Sequence, residues 1–382
     1  MADPADPAIE SKPSPYALRF GISELAGSLG DFGTIIPLIL GVSLVSGMDA
    51  GYIFLFFGIW FIIVGLYYGL PIPVEPMKVI AVVAIAQDMG AGEIAAAGLM
   101  LGVLFLLLGY GTILTTIEKW IPRSVIRGIQ FGLALLLIRT AIGFLIPDPF
   151  AFVAGMAIIV AGFFIARRMK APDLSSLVLI GVAIGVGVYL NGIPTPTLLS
   201  VPHLVIPPLD VYPGALVTLV APQAVLTVTN AILATALLSR DLFSPGVDSP
   251  KLSRTIGLMN LLSVPFGGMP MCHGAGGLAG QYRFGARTGG ANIYAGLILL
   301  AVALVFAGPG FLDIISSGFY AALLVFVAIE LFIHGMKTDS YPVTGVVGIV
   351  ALATSMTAGF VAGMILAYLL PKPYGVREKK ES

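Results

Sequence analysis

The chain has 382 residues, 58% of them hydrophobic and 10% charged, with a mean hydropathy of +1.00 and a formal net charge of zero. A water-soluble domain of this size has no use for so much apolar surface, so the composition predicts an all-α polytopic membrane protein whose first partner is the lipid bilayer. The balanced charge gives no reason to expect a nucleic-acid partner. The single cysteine, Cys272, excludes an internal disulfide, and His203, His273 and His334 lie too far apart to suggest a metal cluster; no cofactor is expected.

Residues 1–18 are polar and proline-rich and read as a disordered cytoplasmic N-terminus. They lack the order of a signal peptide, so the first apolar span is expected to stay in the mature chain. Hydrophobic spans follow near 20–46, 50–70, 73–88, 93–116, 124–145, 150–166, 174–190, 213–238, 252–268, 271–285, 290–307, 311–334, 342–356 and 357–371. Prolines or glycines break the third and tenth spans. The last two span roughly 14 residues each, against the roughly 20 of a straight crossing.

Charge tests this count of about 14 transmembrane spans. Lys12, Arg19, Lys119, Arg123, Arg127, Arg167, Arg168, Arg240, Lys251, Arg254, Lys337 and Lys372 all fall on one side if every span crosses. The loop 192–212 on the other side contains no lysine or arginine. The positive-inside rule then places both termini in the cytoplasm, and the chain is expected in the plasma (inner) membrane.

Spans three and ten correspond. Pro76-Met77 and Pro270-Met271 are 194 residues apart, and the same offset carries Phe20, where span one opens, to Gly214, where span eight opens. Two halves of seven spans have opposite orientation because seven is odd. The expected architecture is a 7+7 inverted repeat, 19–191 and 213–371, with a broken half-helix in each half and a tail at 372–382. Such broken spans mark a transport site near the membrane midplane.

Pro76 suits the first turn of a helix, and the alternating prolines before it favour extended backbone. Span three is therefore expected to enter as a short strand and turn helical near Pro76, with Met77 and Lys78 following in its first turn. If span ten does the same, two helix N-termini face each other, and their N–H groups and dipoles can hold an anion between them. The span-ten helix is expected to open near Cys272 or His273, and Gly274, Ala275 and Gly276 follow, where missing or small side chains let backbone approach a ligand. The same small residues would also serve close helix packing.

Ionisable groups inside a membrane are candidates for function. Asp31 lies in Gly30-Asp31-Phe32-Gly33, and Glu75 and Lys78 flank the start of the span-three helix. Glu24 reads as an interfacial residue or a cavity group, and Glu330 as structural. Lys78 either neutralises an oxyanion or pairs with Glu75 or Asp31. Gln223, Thr227 and Asn230 share a face at α-helical spacing and either line the cavity or bond a neighbouring helix. His273 reads as a hydrogen-bonding group near the site, and Cys272 as a small buried side chain.

The stretches Glu24 to Thr34 with Pro37, Pro73-Val74-Glu75-Pro76-Met77-Lys78 and Met269 to Gly285, with Asn230 and Gly257 to Leu261, resemble the signature motifs of the molybdate transporter type 1 family. That family is similar to the sulfate permease superfamily, whose members have a core of seven plus seven inverted spans. The resemblance implies a secondary active transporter importing a tetrahedral oxyanion, molybdate first, with sulfate or tungstate as alternatives. A nucleobase or carboxylate symporter on the same architecture is a second reading. A membrane-embedded enzyme has no nucleotide-binding motif, metal cluster or nucleophile triad behind it.

Proton coupling through Glu75 or Asp31 and a homodimer are further expectations. Larger relatives carry a regulatory domain after the last span, and the few residues after Leu370 lead us to expect none. The family pattern has glutamine where this chain has Glu75. A carboxylate there repels an oxyanion unless it is protonated or paired.

Overall fold

Backbone N–H and C=O groups find no partners in hydrocarbon, so apolar runs of this kind close into helices. A computed structural model of the protein describes residues 17–110, 120–169, 174–193, 204–305 and 314–370. Ile22–Ser28 (α1) and Phe32–Ser46 (α2) follow one another across a turn, and Ala50–Tyr68 (α3) completes the first group. Glu75–Pro76 (β1) leads into Lys78–Gln87 (α4). Then come Ala91–Leu108 (α5), Arg123–Leu145 (α6), Pro149–Met169 (α7) and Ser175–Asn191 (α8).

Val211–Leu242 (α9) is continuous but carries π-helical turns at Leu216–Val220 and Thr227–Ala234. Ser249–Ser263 (α10) precedes Met271–Cys272 (β2) and Ala275–Arg283 (α11). Gly289–Val305 (α12), Ser317–Gly335 (α13), Tyr341–Ala353 (α14) and Met356–Leu369 (α15) finish the described chain.

Each expected span overlaps at least one of these elements, but their lengths differ. Among the described residues seven helices are long and apolar enough to cross a membrane: Ile22–Ser46 taken together, α3, α5, α6, α7, α9 and α13. The helices α4, α8, α12, α14 and α15 are apolar but shorter, and α10 and α11 fall outside both groups. Residues 1–16 of the expected disordered N-terminus 1–18, the tail 372–382, residues 194–203 of the loop and the ends of spans four, eleven and twelve lie outside the described residues.

Local chemistry explains the helix ends. Asp49 caps α3 by accepting from the N–H groups of Gly51 (2.7 Å) and Tyr52 (3.3 Å). Gly47 and Gly69 end α2 and α3 in the left-handed conformation that glycine adopts without strain.

Packing divides the helices into two groups. In one, α3 lies along α12 and α5 lies along α10; in the other, α6 packs on α13 and α14, and α13 on α7. Each contact has a counterpart when the first and second halves of the chain are exchanged. On α3 and α12 the approach is as close as backbones allow: a Cβ on Gly65 would overlap Gly289, and one on Gly289 would overlap Gly65. Between the groups α2 and α4 pack on each other, α2 also against α13 and α4 also against α6, and Ile35, Leu38, Val79 and Ile80 are fully buried. By contrast α7 presents Phe150, Val153 and Phe164 outward, as a lipid-facing helix does.

Candidate functional site

The two strands cross at the centre of the first group. Pro71, Pro73 and Pro76 hold the approach to α4 extended. β1 and β2 pair antiparallel, Glu75 opposite Cys272 and Pro76 opposite Met271, and Met77 N–H adds a bond to the Pro270 carbonyl at 3.0 Å. Two residues per strand are too few to stand alone. Asn260 of α10 acts as a third rung: its amide accepts from Met271 N–H (2.9 Å) and donates to Met271 C=O (2.7 Å).

Helices α4 and α11 start immediately after these strands, with Met77 and Gly274 at their N-caps and no side-chain bond from either cap residue. Their first N–H groups therefore need acceptors from elsewhere. At α4 the acceptor is Gln223 of α9, whose Oε1 receives Val79 N–H (2.8 Å) and Ile80 N–H (3.3 Å) while its Nε2 donates to Thr227 (2.8 Å). At α11 it is Glu75, whose Oε1 receives Gly277 N–H at 3.0 Å. The other oxygen, Oε2, forms an ion pair with Lys78. Glu75 is thus an anion seated on a helix N-terminus and contributed by the opposite strand. A Cβ on Gly274 or Gly277 would overlap its carboxylate.

Asp31, at the N-cap of α2, is buried beside it, and a Cβ on Gly277 would meet both carboxylates. Asp31 Oδ2 has no hydrogen-bond partner among the described residues. It lines a cavity of about 180 Å³ with Gly276, Glu330 and Arg283. Thr34 donates to Glu330 Oε2 at 2.7 Å. Gly276 faces open space: nothing stands within 4 Å of where its Cβ would be.

The structure therefore brings together Asp31, Glu75, Pro76, Met77, Lys78, Gln223, Thr227, Cys272, Gly274, Ala275 and Gly276 around the crossing strands. His273 is the hydrogen-bonding group expected near the site, whereas Asn230 stands elsewhere. His273 is fully buried and both ring nitrogens are committed: Nδ1–H donates to the Pro73 carbonyl (2.8 Å), leaving Nε2 to accept from the Thr255 hydroxyl (2.8 Å). Thr255 also bonds Tyr68 at 2.8 Å, so His273 ties β1 and β2 to α3 and α10.

Asn230 leaves the stripe expected for it. The π turn at Thr227–Ala234 has a wider repeat than an α turn, and it turns Asn230 into a separate cavity of about 730 Å³ with Arg123, Arg127, Gln130 and Arg240.

Other polar residues have roles that the spacing left open or concealed. Glu24 accepts from Arg287 and Thr288 N–H at 3.1–3.3 Å and so caps the approach to α12. Asn292 donates to the Ile72 carbonyl (2.5 Å) and accepts from Gln281 (3.2 Å), fixing the start of the extended segment. In the sequence Asn292 follows a Gly-Gly pair inside an apolar run, which is its one visible signal.

A family model described as "Molybdate transporter of MFS superfamily" matches residues 23–137 and 215–331, and each match contains one crossing strand and its helix. Molybdate transporter 2 of Arabidopsis thaliana is 32% identical over 404 residues, covering 91% of this chain and 87% of its own. Molybdate transporter 1 of the same plant is 32% identical over 408 residues, covering 92% and 89%. Molybdate transporter 1 of Chlamydomonas reinhardtii is 25% identical over 470 residues, covering 90% of each.

Among solved structures, the transmembrane domain of the cyanobacterial bicarbonate transporter BicA superposes with a TM-score of 0.66 at 17% identity, over 90% of this chain and 97% of that one. SLC26A9 superposes with a TM-score of 0.69 at 14% identity, over 91% of this chain and 64% of its own. At these identities the likeness is one of fold.

Proposed function

This chain belongs to the molybdate transporter family, and on that premise we propose that it imports a tetrahedral oxyanion, molybdate first, held between the N-termini of α4 and α11. It is a transporter and not an enzyme. The observation that carries the reading is the position of Glu75: a negatively charged oxygen group rests on Gly277 N–H beside the Lys78 ammonium. Helix N-termini favour such groups through free N–H donors and the dipole. In this state the chain's own carboxylate fills the seat that the substrate needs. Lys78, once released from Glu75, supplies the compensating charge.

Coupling follows from the same contact. A dianion entering beside Glu75 favours its neutral form, so one proton enters with the substrate. The charged groups facing Glu75 are Lys78 and Asp31, with Glu330 and Arg283 across the cavity that Asp31 lines. The two sets of seven spans form an inverted repeat, 19–191 and 213–371, with α4 and α11 as half-helices. Their exchangeable packing supports this, and rocking of one helix group against the other opens each side in turn. The one-sided lysines and arginines support cytoplasmic termini.

Sulfate and tungstate share molybdate's charge and shape and are the close alternatives. Uptake of molybdate into proteoliposomes, with tungstate and sulfate as competitors, tests the reading. Saturable uptake that tungstate suppresses is expected; a purified, folded protein that moves none of the three ends the proposal.

A further inference from the structure

The 730 Å³ cavity lies away from the crossing strands and is lined by arginines from two helices. Arg123 opens α6, and Arg127 stands four residues on; Arg240 is in the last turn of α9. Like charges four residues apart on a helix repel, and a helix N-terminus disfavours cations, so α6 begins with two unfavourable placements. Arg123 is exposed and Arg127 half-buried, and among the described residues neither forms an ion pair. Arg127 donates to the neutral Oε1 of Gln130 at 2.9 Å. Asp339 acts on Arg127 without forming an ion pair, and among the described residues only Lys78–Glu75 and Arg240–Asp248 are paired.

The Arg240–Asp248 pair is 57% exposed on both sides and therefore screened. No carboxylate is among the described lining residues, which add the amides of Gln130 and Asn230. The volume falls within the roughly 300–1,000 Å³ of small-molecule sites.

We propose that this cavity is a second anion site, which takes a tetrahedral oxyanion group presented by Arg123, Arg127 and Arg240. The group is either a free oxyanion or the phosphate of an anionic lipid headgroup, which basic pockets between membrane helices receive. Planar guanidinium groups match the paired oxygens of either source. Asn230 lies seven residues beyond Gln223, roughly 10 Å along α9, so the cavity flanks the proposed transport seat without including it. The inference does not depend on what the transporter carries.

Trp120 provides a native reporter: it is one of two tryptophans and immediately precedes Ile121 of the lining, while Trp60 is buried on α3. The full-length protein in phosphatidylcholine nanodiscs is titrated with inorganic phosphate while its tryptophan emission is followed. A saturable change is expected, weakened at least tenfold in the double variant Arg123→Gln/Arg127→Gln and unaltered in Gly276→Val, which alters only the transport seat.

Nanodiscs containing phosphatidic acid separate the two sources. Weaker apparent phosphate binding in the parent but not in the double variant assigns the cavity to a headgroup, and unchanged binding assigns it to a free anion. Should the double variant fail to fold, Arg240→Gln replaces it, with a loss of at least threefold expected. A folded variant that binds phosphate within twofold of the parent overturns the proposal, as does a parent with no saturable response to phosphate or to the lipid.

Discussion

Glu75 has a different partner for each carboxylate oxygen. Lys78 holds one by charge and Gly277 N–H holds the other by a hydrogen bond. Glu75→Gln keeps an acceptor for Gly277 and removes the charge. The variant should still bind molybdate. Accumulation driven by a pH gradient should vanish. A glutamine variant that still concentrates substrate on such a gradient would pass the coupling role to Asp31.

Gly276 tests the seat itself. Its Cβ position is empty, so Gly276→Val places a side chain in the cavity without displacing a neighbour. We expect unchanged melting and at least a tenfold loss of molybdate affinity; retained affinity would return the glycines to a packing role.

At the scale of elements, α4 and α11 depend on acceptors borrowed from distant chain segments. Gln223→Leu removes the acceptor from Val79 and Ile80 N–H inside a buried site. Leaving such donors unsatisfied costs about 1–3 kcal/mol, so the variant's melting temperature should fall, while Thr227→Val, which loses one bond, should fall less. Equal melting of Gln223→Leu and the parent would mean that water replaces the amide.

The helical positions and the extended approach to α4 were legible in the sequence, because prolines and apolar runs act locally; the helix itself starts at Lys78, two residues beyond the expected Pro76. His273 was legible as a hydrogen-bonding group, but its partners and the place of Asn230 were not. His273 is fixed by Pro73, 200 residues away, and Asn230 by a π turn whose residues, Thr227–Ala234, read as ordinary helix. Spacing alone cannot reveal either, since one is a tertiary contact and the other a departure from the assumed period.

For the whole molecule, the distribution of basic residues makes a geometric prediction. Cys272 is buried, so the native chain is a silent background for labelling. Cysteines at Met169 and Ser249 should react with a membrane-impermeant reagent from one side, and a cysteine at the exposed Asn191 from the other. Labelling of Asn191 and Ser249 from the same face would defeat the proposed crossings. The strand ladder has a further consequence, for biosynthesis. Gly277, which receives the Glu75 carboxylate, follows it by 202 residues. At about 5–20 residues per second, a ribosome needs about 10–40 s to supply that partner. Throughout that interval the nascent first half holds Glu75 and Lys78 without the second strand. The insertion machinery must shelter an unfinished polar centre until the second strand arrives to close it.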